Sequence, residues 1–578
     1  MPVDASRTEL DPGRWVTLGV VIAALFIVVV DNSILTVAIP TILRDFHTTL
    51  PTLQWVVTGY SLTFASLLVI GGRLGDLYGH RRMFIVGAAL FTAGSLLAAL
   101  SWSVGSLVVG EALIEGVGAS LMMPATLAII STTFTGRERA TAFAAWGAVA
   151  GAAVAFGPVV GGFLTTNYSW RWAFGINVIV APLAILGALL FTKPSERSPR
   201  RARLDLTGAA LVSSGTFLLV FALSEGSGYG WWRSIKTFRI GAVEVWPDSA
   251  SVSLIPIVIV VALALLTAFV LVERRKEERD ADPLFPIGQL KHRSFRYGLV
   301  TTAVLATGQV GLLFVLPVFL QDGKRLSAEV NGLWILPLGI VIILASQVGA
   351  GLTRHIGTTR TVQVGLACET LGLVVIALAI APDVTFPELL GGFVLFGTGI
   401  GFATSQLTNV VLSDVDLDKS GVASGTNTTV RQIGAALGIA VIGSILTVQT
   451  IHHTVDRVRT SSAISADVGR RSVAAVEDVG PSFRPAPGTP AREAGALDGA
   501  LADGVADGAR VALLFAAGVV AVGSCLSVLI PRIGPYRHDD RHDDGAAGVI
   551  AEFEAFEPMD PDPALLFEAD SAEPGGVA

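Results

Sequence analysis

Long apolar segments recur along almost the whole chain, and nothing constrains its fold more. A helix that crosses the hydrocarbon core of a bilayer needs about 20 mainly apolar residues. Fourteen stretches of that kind can be read, at roughly 15–41, 52–72, 82–101, 104–130, 140–165, 170–192, 205–224, 252–272, 296–321, 330–352, 361–381, 386–411, 429–450 and 508–531. Composition agrees: 52% of residues are hydrophobic and 15% are charged, against roughly 25% charged in ordinary soluble proteins. The expected fold class is all-α integral membrane, and a soluble enzyme is excluded. No Gly-Lys-Ser/Thr phosphate loop and no metal-ligand spacing accompany the helices.

An even number of spans places both termini on one side. Lys and Arg concentrate in the short loops after even-numbered segments, as in Arg81 with Arg82, the run KPSERSPRRAR from Lys193 and ERRKEER from Glu273. Loops rich in Lys and Arg stay cytoplasmic, so both termini are expected there. The formal net charge of −7 owes much to the tail after Pro531, including EFEAFEPMDPD from Glu552. That tail is expected to be disordered, and nucleic acid is not an expected partner. The segment 452–507, rich in Pro, Gly, Ala and Asp, is expected to be an external loop, flexible or weakly helical. Cys368 and Cys525 each sit in an apolar run and are expected to be packing residues.

Between the second and third segments stands GGRLGDLYGHRRM, Gly71 to Met83. It resembles the signature loop of the major facilitator superfamily, with Gly72, Asp76, Gly79, Arg81 and Arg82 in the signature positions. DNSILTVAIP from Asp31, QWVVTGYSL from Gln54, GPVVGG from Gly157, WRWAFGIN from Trp170, LPVFLQ from Leu316 and GVASGTNTTVRQIGAALG from Gly421 look like counterparts of motifs in its fourteen-helix drug:proton antiporter branch. The resemblance implies two six-helix pseudo-symmetric halves with a substrate site near the midplane between them. The expected organisation is a cytoplasmic tail 1–14, a first half 15–192, a linker 193–295 with two inserted helices, a second half 296–531 and a tail 532–578. By resemblance, Asp76 with Arg81 and Arg82 forms a cytoplasmic gate, and Gly157, Pro158, Gly161 and Gly162 form the antiporter motif, a tight contact between halves. One departure stands out: the motif arginine of the fourth segment is replaced by Ala112, while Glu111 and Glu115 add acids.

Asp31 lies in the middle of an apolar span, and ionisable residues inside a membrane are functional by default. Residues four apart share a helix face, so Glu111 and Glu115 are expected to point together into the cavity. At 1.5 Å per residue, Asp31 and Glu115 lie at similar depth, roughly 13 Å and 17 Å from their helix ends. Asp31, Glu111, Glu115 and, more weakly, Glu369 are therefore the expected proton-coupling and substrate-binding residues. Gln309, Gln406 and Asn409 are further polar residues expected on cavity helices, and Arg431 is expected to pair with the gate or a lipid phosphate. The expected function is proton-coupled export of amphipathic, cationic drugs or antibiotics from a bacterial cytoplasmic membrane, with a proton gradient and no cofactor. An exporter or flippase of a lipid-like metabolite is the alternative, and a non-transporting scaffold or sensor comes third.

Overall fold

The computed structural model describes residues 13–48, 50–194, 204–240, 243–279, 281, 283–416 and 419–533. The expected acidic tail, from 534 onward, and residues 1–12 lie outside the described residues. The chain begins with α1 (Arg14–Asp45), α2 (Leu50–Tyr78) and α3 (His80–Ala99). The next helix comprises α4 (Val104–Leu107), a π-helical stretch Val108–Glu115 and α5 (Gly116–Thr133). It is followed by α6 (Gly136–Asn167), α7 (Trp172–Phe191) and α8 (Leu206–Tyr229). A hairpin of β1 (Phe238–Ile240) and β2 (Val243–Trp246) leads to α9 (Leu254–Glu277). Then come α10 (Arg293–Val318), α11 (Ala328–Ile356), α12 (Thr358–Ala379), α13 (Phe386–Val411), α14 (Ser420–Thr460), α15 (Ala466–Val479) and α16 (Ala491–Leu526). Among the described residues thirteen helices are long and apolar enough to cross a membrane, by length and composition. The 32-residue α6, described only in part, is a further long helix outside those thirteen.

Large apolar side chains such as Leu190, Val260, Leu344, Leu378 and Val448 lie exposed on the outside, while Asp31, Glu111, Glu115 and Glu369 are buried. That inversion is what a lipid environment demands, since polar groups facing hydrocarbon would have no partner. Within the first helix set, α1 packs on α6 and α7, α3 on α5 and α7, and α2 on α5. In the second, α12 packs on α13 and α10 on α14 and α16. The sets meet through α2 with α14 and α6 with α11, while α8 pairs with α9 and leans on α2 and α14.

Two junctions repeat one device. Gly79 separates α2 from α3 at φ 95°, and Gly357 separates α11 from α12 at φ 84°. Only glycine takes that backbone region freely, so a single residue can turn one helix into the next. The junctions lie between the second and third helices of each set, which is the placement a pseudo-symmetric pair predicts.

Segment 452–507 departs from expectation. α14 continues to Thr460, α15 covers 466–479 and α16 starts at Ala491, so most of the segment is helical. Its alanines carry high helix propensity, and Val458, Val476, Phe483, Leu497 and Leu501 are buried. Arg457 reaches Asp507 at 2.7 Å, Arg325 reaches Asp498 at 2.7 Å and Arg484 reaches Asp322 at 3.0 Å. The cysteines are free, and Cys525 is exposed rather than packed.

Candidate functional site

The acidic residues of the first helix set do meet. One carboxylate oxygen each from Asp31, Glu111 and Glu115 lies within 4.8 Å of the others, and all three side chains are buried. Glu111 and Glu115 stand on the π-helical stretch, a wider turn that is frequent at functional sites. The cluster is tied by two residues absent from the expected set. Asn177 of α7 donates from Nδ2 to Asp31 Oδ1 at 2.6 Å and to Glu115 Oε1 at 3.2 Å. Ser95 of α3 donates to Glu115 Oε1 at 2.7 Å and accepts from Asn177 Nδ2 at 3.2 Å. Asp31 Oδ2, Glu115 Oε2 and both oxygens of Glu111 have no hydrogen-bond partner among the described residues. Asn177 ends the WRWAFGIN motif, and an asparagine inside so apolar a helix is the signal that could have found it.

The cluster does not line the cavity, contrary to expectation. A cavity of about 410 Å³ lies between the two helix sets, walled by α1, α2, α5, α6, α8, α10, α11, α13 and α14. Tyr60 of α2 forms part of its wall, within reach of the charges of Asp31, Glu111 and Glu115, and its hydroxyl has no partner among the described residues. Ala112 is buried, and a Cβ on Gly59 of α2 would lie 2.8 Å from its own Cβ, so this small side chain packs closely on Gly59.

The gate is built differently from expectation as well. Asp76 accepts from the backbone N–H groups of Gly421 at 2.7 Å and Val422 at 2.9 Å. Those N–H groups open α14, so a carboxylate sits on a helix N-terminus where donors and dipole both favour an anion. A Cβ on Gly72 would collide with the Gly421 carbonyl oxygen, so glycine is required for this approach of α2 to α14. Arg81 reaches the end of α7: its Nε donates to Ala188 O at 2.9 Å and Nη2 to Leu189 O at 2.6 Å. Arg82 is exposed. His80, which was not expected in the gate, stands 3.6 Å from Asp76. Across the same interface Arg139 Nη2 donates to Leu412 O at 3.1 Å.

The other expected residues are dispersed. Glu369 on α12 is buried, with neither oxygen partnered among the described residues, in the second helix set and away from the acidic cluster. Gln309 lines the cavity and donates to Thr404 Oγ1 at 2.8 Å, whereas Gln406 and Asn409 are buried outside the cavity wall. Gly157 is buried, and Gly161 packs against Ile34 of α1, within its own helix set. The surroundings of Pro158 and Gly162 lie outside what is described. Arg431 makes no ion pair with the gate among the described residues; it lines the cavity with its guanidinium carbon 5.1 Å from the Trp146 ring centroid.

Comparison with known proteins matches this arrangement to a family. Residues 21–439 match the profile of the Major Facilitator Superfamily. A probable actinorhodin transporter of Streptomyces coelicolor is 34% identical over 440 residues, covering 75% of this chain and 72% of that protein. A puromycin resistance protein of Streptomyces alboniger is 34% identical, covering 81% and 88%. A tetracenomycin C resistance and export protein of Streptomyces glaucescens is 29% identical, covering 90% and 92%. Among solved structures, the human organic anion transporter MFSD10 superposes with a TM-score of 0.56 at 15% identity, over 89% of this chain and all of that one, which speaks to the fold alone. With its helix bundle, its central cavity and these matches, the chain belongs to the Major Facilitator Superfamily, as a multi-pass membrane efflux transporter and not an enzyme.

Proposed function

We propose that the protein exports amphipathic compounds from a bacterial cytoplasmic membrane in exchange for protons, with fourteen spans and both termini cytoplasmic. The buried cluster of Asp31, Glu111 and Glu115 carries this reading. Among the described residues four of its six carboxyl oxygens lack a donor, and a proton held between two of the groups would satisfy some of them. Like charges this close in a medium of low dielectric repel strongly, and acids so coupled take up and release protons as a set. Tyr60 stands in the cavity wall beside the cluster. An occupant of the cavity and a proton on the cluster can therefore influence each other across one side chain.

The relatives support efflux as the task, since their names are those of antibiotic transport and resistance proteins. The expectation of cationic substrates rests on carboxylates lining the cavity, and among the described residues none does. The test is proton movement in proteoliposomes under an imposed pH gradient, with cationic dyes, neutral antibiotics, aromatic acids and lysolipids added in turn. Proton release on adding a compound, abolished in Asp31→Asn and in Glu115→Gln, is the expected result. Full activity in both neutral variants would remove the cluster from the mechanism.

A further inference from the structure

We infer that Arg431 and Trp146 form a recognition site for an anionic oxygen group, such as a carboxylate, on an aromatic amphiphile held in the central cavity. The inference rests on the reading of that cavity as the substrate site and adds the class of compound.

Among the described residues that line the cavity, Arg431 is the one charged residue, and no Asp or Glu joins it in that wall. Its guanidinium makes no hydrogen bond or ion pair with the described residues; its contact is with the face of Trp146. A cation withdrawn from bulk water needs a partner, and a stacked guanidinium is satisfied on its face while its edge of N–H donors stays free. Trp146 is a fixed platform, buried and tethered by Nε1 to Thr126 Oγ1 at 3.3 Å. The ring belongs to α6 and the guanidinium to α14, so the pair spans the two helix sets.

The surroundings sort by polarity. Gln309, Thr404, Thr428 and Gln432 share the wall with Arg431, while Leu25, Phe64, Leu313, Ile335 and Leu338 make much of the remainder apolar. Beside Arg431, Gln309 and Thr404 also border a recess of about 10 Å³, roughly the smallest space that admits one water. The cavity volume of about 410 Å³ falls in the range of small-molecule sites. Such a site suits a planar oxyanion on the guanidinium edge, its aromatic body along the apolar wall. A compound whose only charge is positive would meet like charge in a low dielectric.

Equilibrium dialysis of the purified full-length protein with three probes of one size tests this: 2-naphthoate, its neutral amide 2-naphthamide, and the cation N-methylquinolinium. The expected ranking is naphthoate at least tenfold tighter than naphthamide, with quinolinium weakest. Arg431→Gln should bring naphthoate down to the level of the amide, and Arg431→Lys should keep part of the preference. Equal binding of the three, a preference for quinolinium, a naphthoate preference that survives Arg431→Gln, or no binding of any probe would each overturn the inference. Should Arg431→Gln fail to fold, the ranking by the unmodified protein decides. Displacement of naphthoate by dioleoylphosphatidylglycerol would mark a lipid headgroup as the source of the acid, and its persistence a soluble one. Binding is read without a pH gradient, so it stands or falls separately from proton coupling.

Discussion

Asn177 is the residue on which the acidic cluster depends. Its amide group serves both Asp31 and Glu115, and removing a donor to buried acceptors costs about 1–3 kcal/mol. Asn177→Leu should lower the thermal midpoint of the purified protein and abolish gradient-driven export, whereas Ser95→Ala, which removes one of two donors to Glu115, should do so less. A thermal melt and an efflux assay on the two variants check that order. Tyr60→Phe keeps the ring and removes a buried hydroxyl that has no partner among the described residues, a group that is costly to leave unsatisfied, so it should not lower the thermal midpoint, while slowing proton-coupled turnover. Unchanged turnover in Tyr60→Phe would separate cavity from cluster. Restoring the motif arginine tests a different property of the same helix. Ala112 is packed against Gly59, and overpacking a buried site typically costs about 1–3 kcal/mol before any charge is added; Ala112→Arg should therefore yield little folded protein by size-exclusion profile, although a cation so close to three acids looks favourable on charge alone.

At the scale of elements, the contact of α2 with α14 is made by glycine on both sides and locked by Asp76. Hydrogen bonds to charged groups contribute about 1.5–3 kcal/mol, and Asp76 accepts two from the first turn of α14. Asp76→Ala should expose the Gly421 side of the interface, read as faster labelling of a cysteine placed at Ser420, and Gly72→Val should do the same by steric exclusion. Arg82→Ala, at an exposed position, should leave labelling unchanged, which distinguishes this gate from one built on the loop arginines. Segment 452–507 offers a second check at this scale: because its helices are buried at Val458, Val476 and Leu501, limited proteolysis should spare it, where a flexible loop would be cut first.

At the scale of the whole molecule, the end of α1 is held by an ion pair that should not interfere with proton coupling. Arg171 Nη1 and Trp170 Nε1 each donate to Asp45 Oδ2 at 2.9 Å, and the Arg171 hydrogen bond, followed by that of Trp170, holds the Asp45 carboxyl below the usual carboxylate range. A carboxyl lowered on folding contributes stability above its unfolded value, about 3.9, and loses it as pH falls through the folded one. The difference in thermal midpoint between the protein and Asp45→Asn should thus be constant from pH 8 to pH 5 and shrink only below about pH 4. Since the pair is half exposed, that difference is small. A pH dependence of transport between 5 and 8 then belongs to other groups.

What the sequence determined by itself was whatever depends on segment length, composition and local pattern. Apolar length set the long helices, Gly79 in the signature loop set the turn between α2 and α3, and Asp31, Glu111 and Glu115 announced themselves because carboxylates have no place in lipid without a task. Ends of helices were less legible: α16 starts well before its apolar stretch through an alanine-rich, charged segment and α14 runs past its own through a charged one, because such turns continue a helix once tertiary packing covers one face. Only the tertiary structure decided which side chains share a space. Asn177 and Ser95 reach the acids from helices far along the chain, Arg81 is taken by the carbonyls at the end of α7, and the cavity wall receives Arg431 in place of the carboxylates. Orientation about a helix axis is set by the close packing of many neighbours at once, and no single segment encodes it.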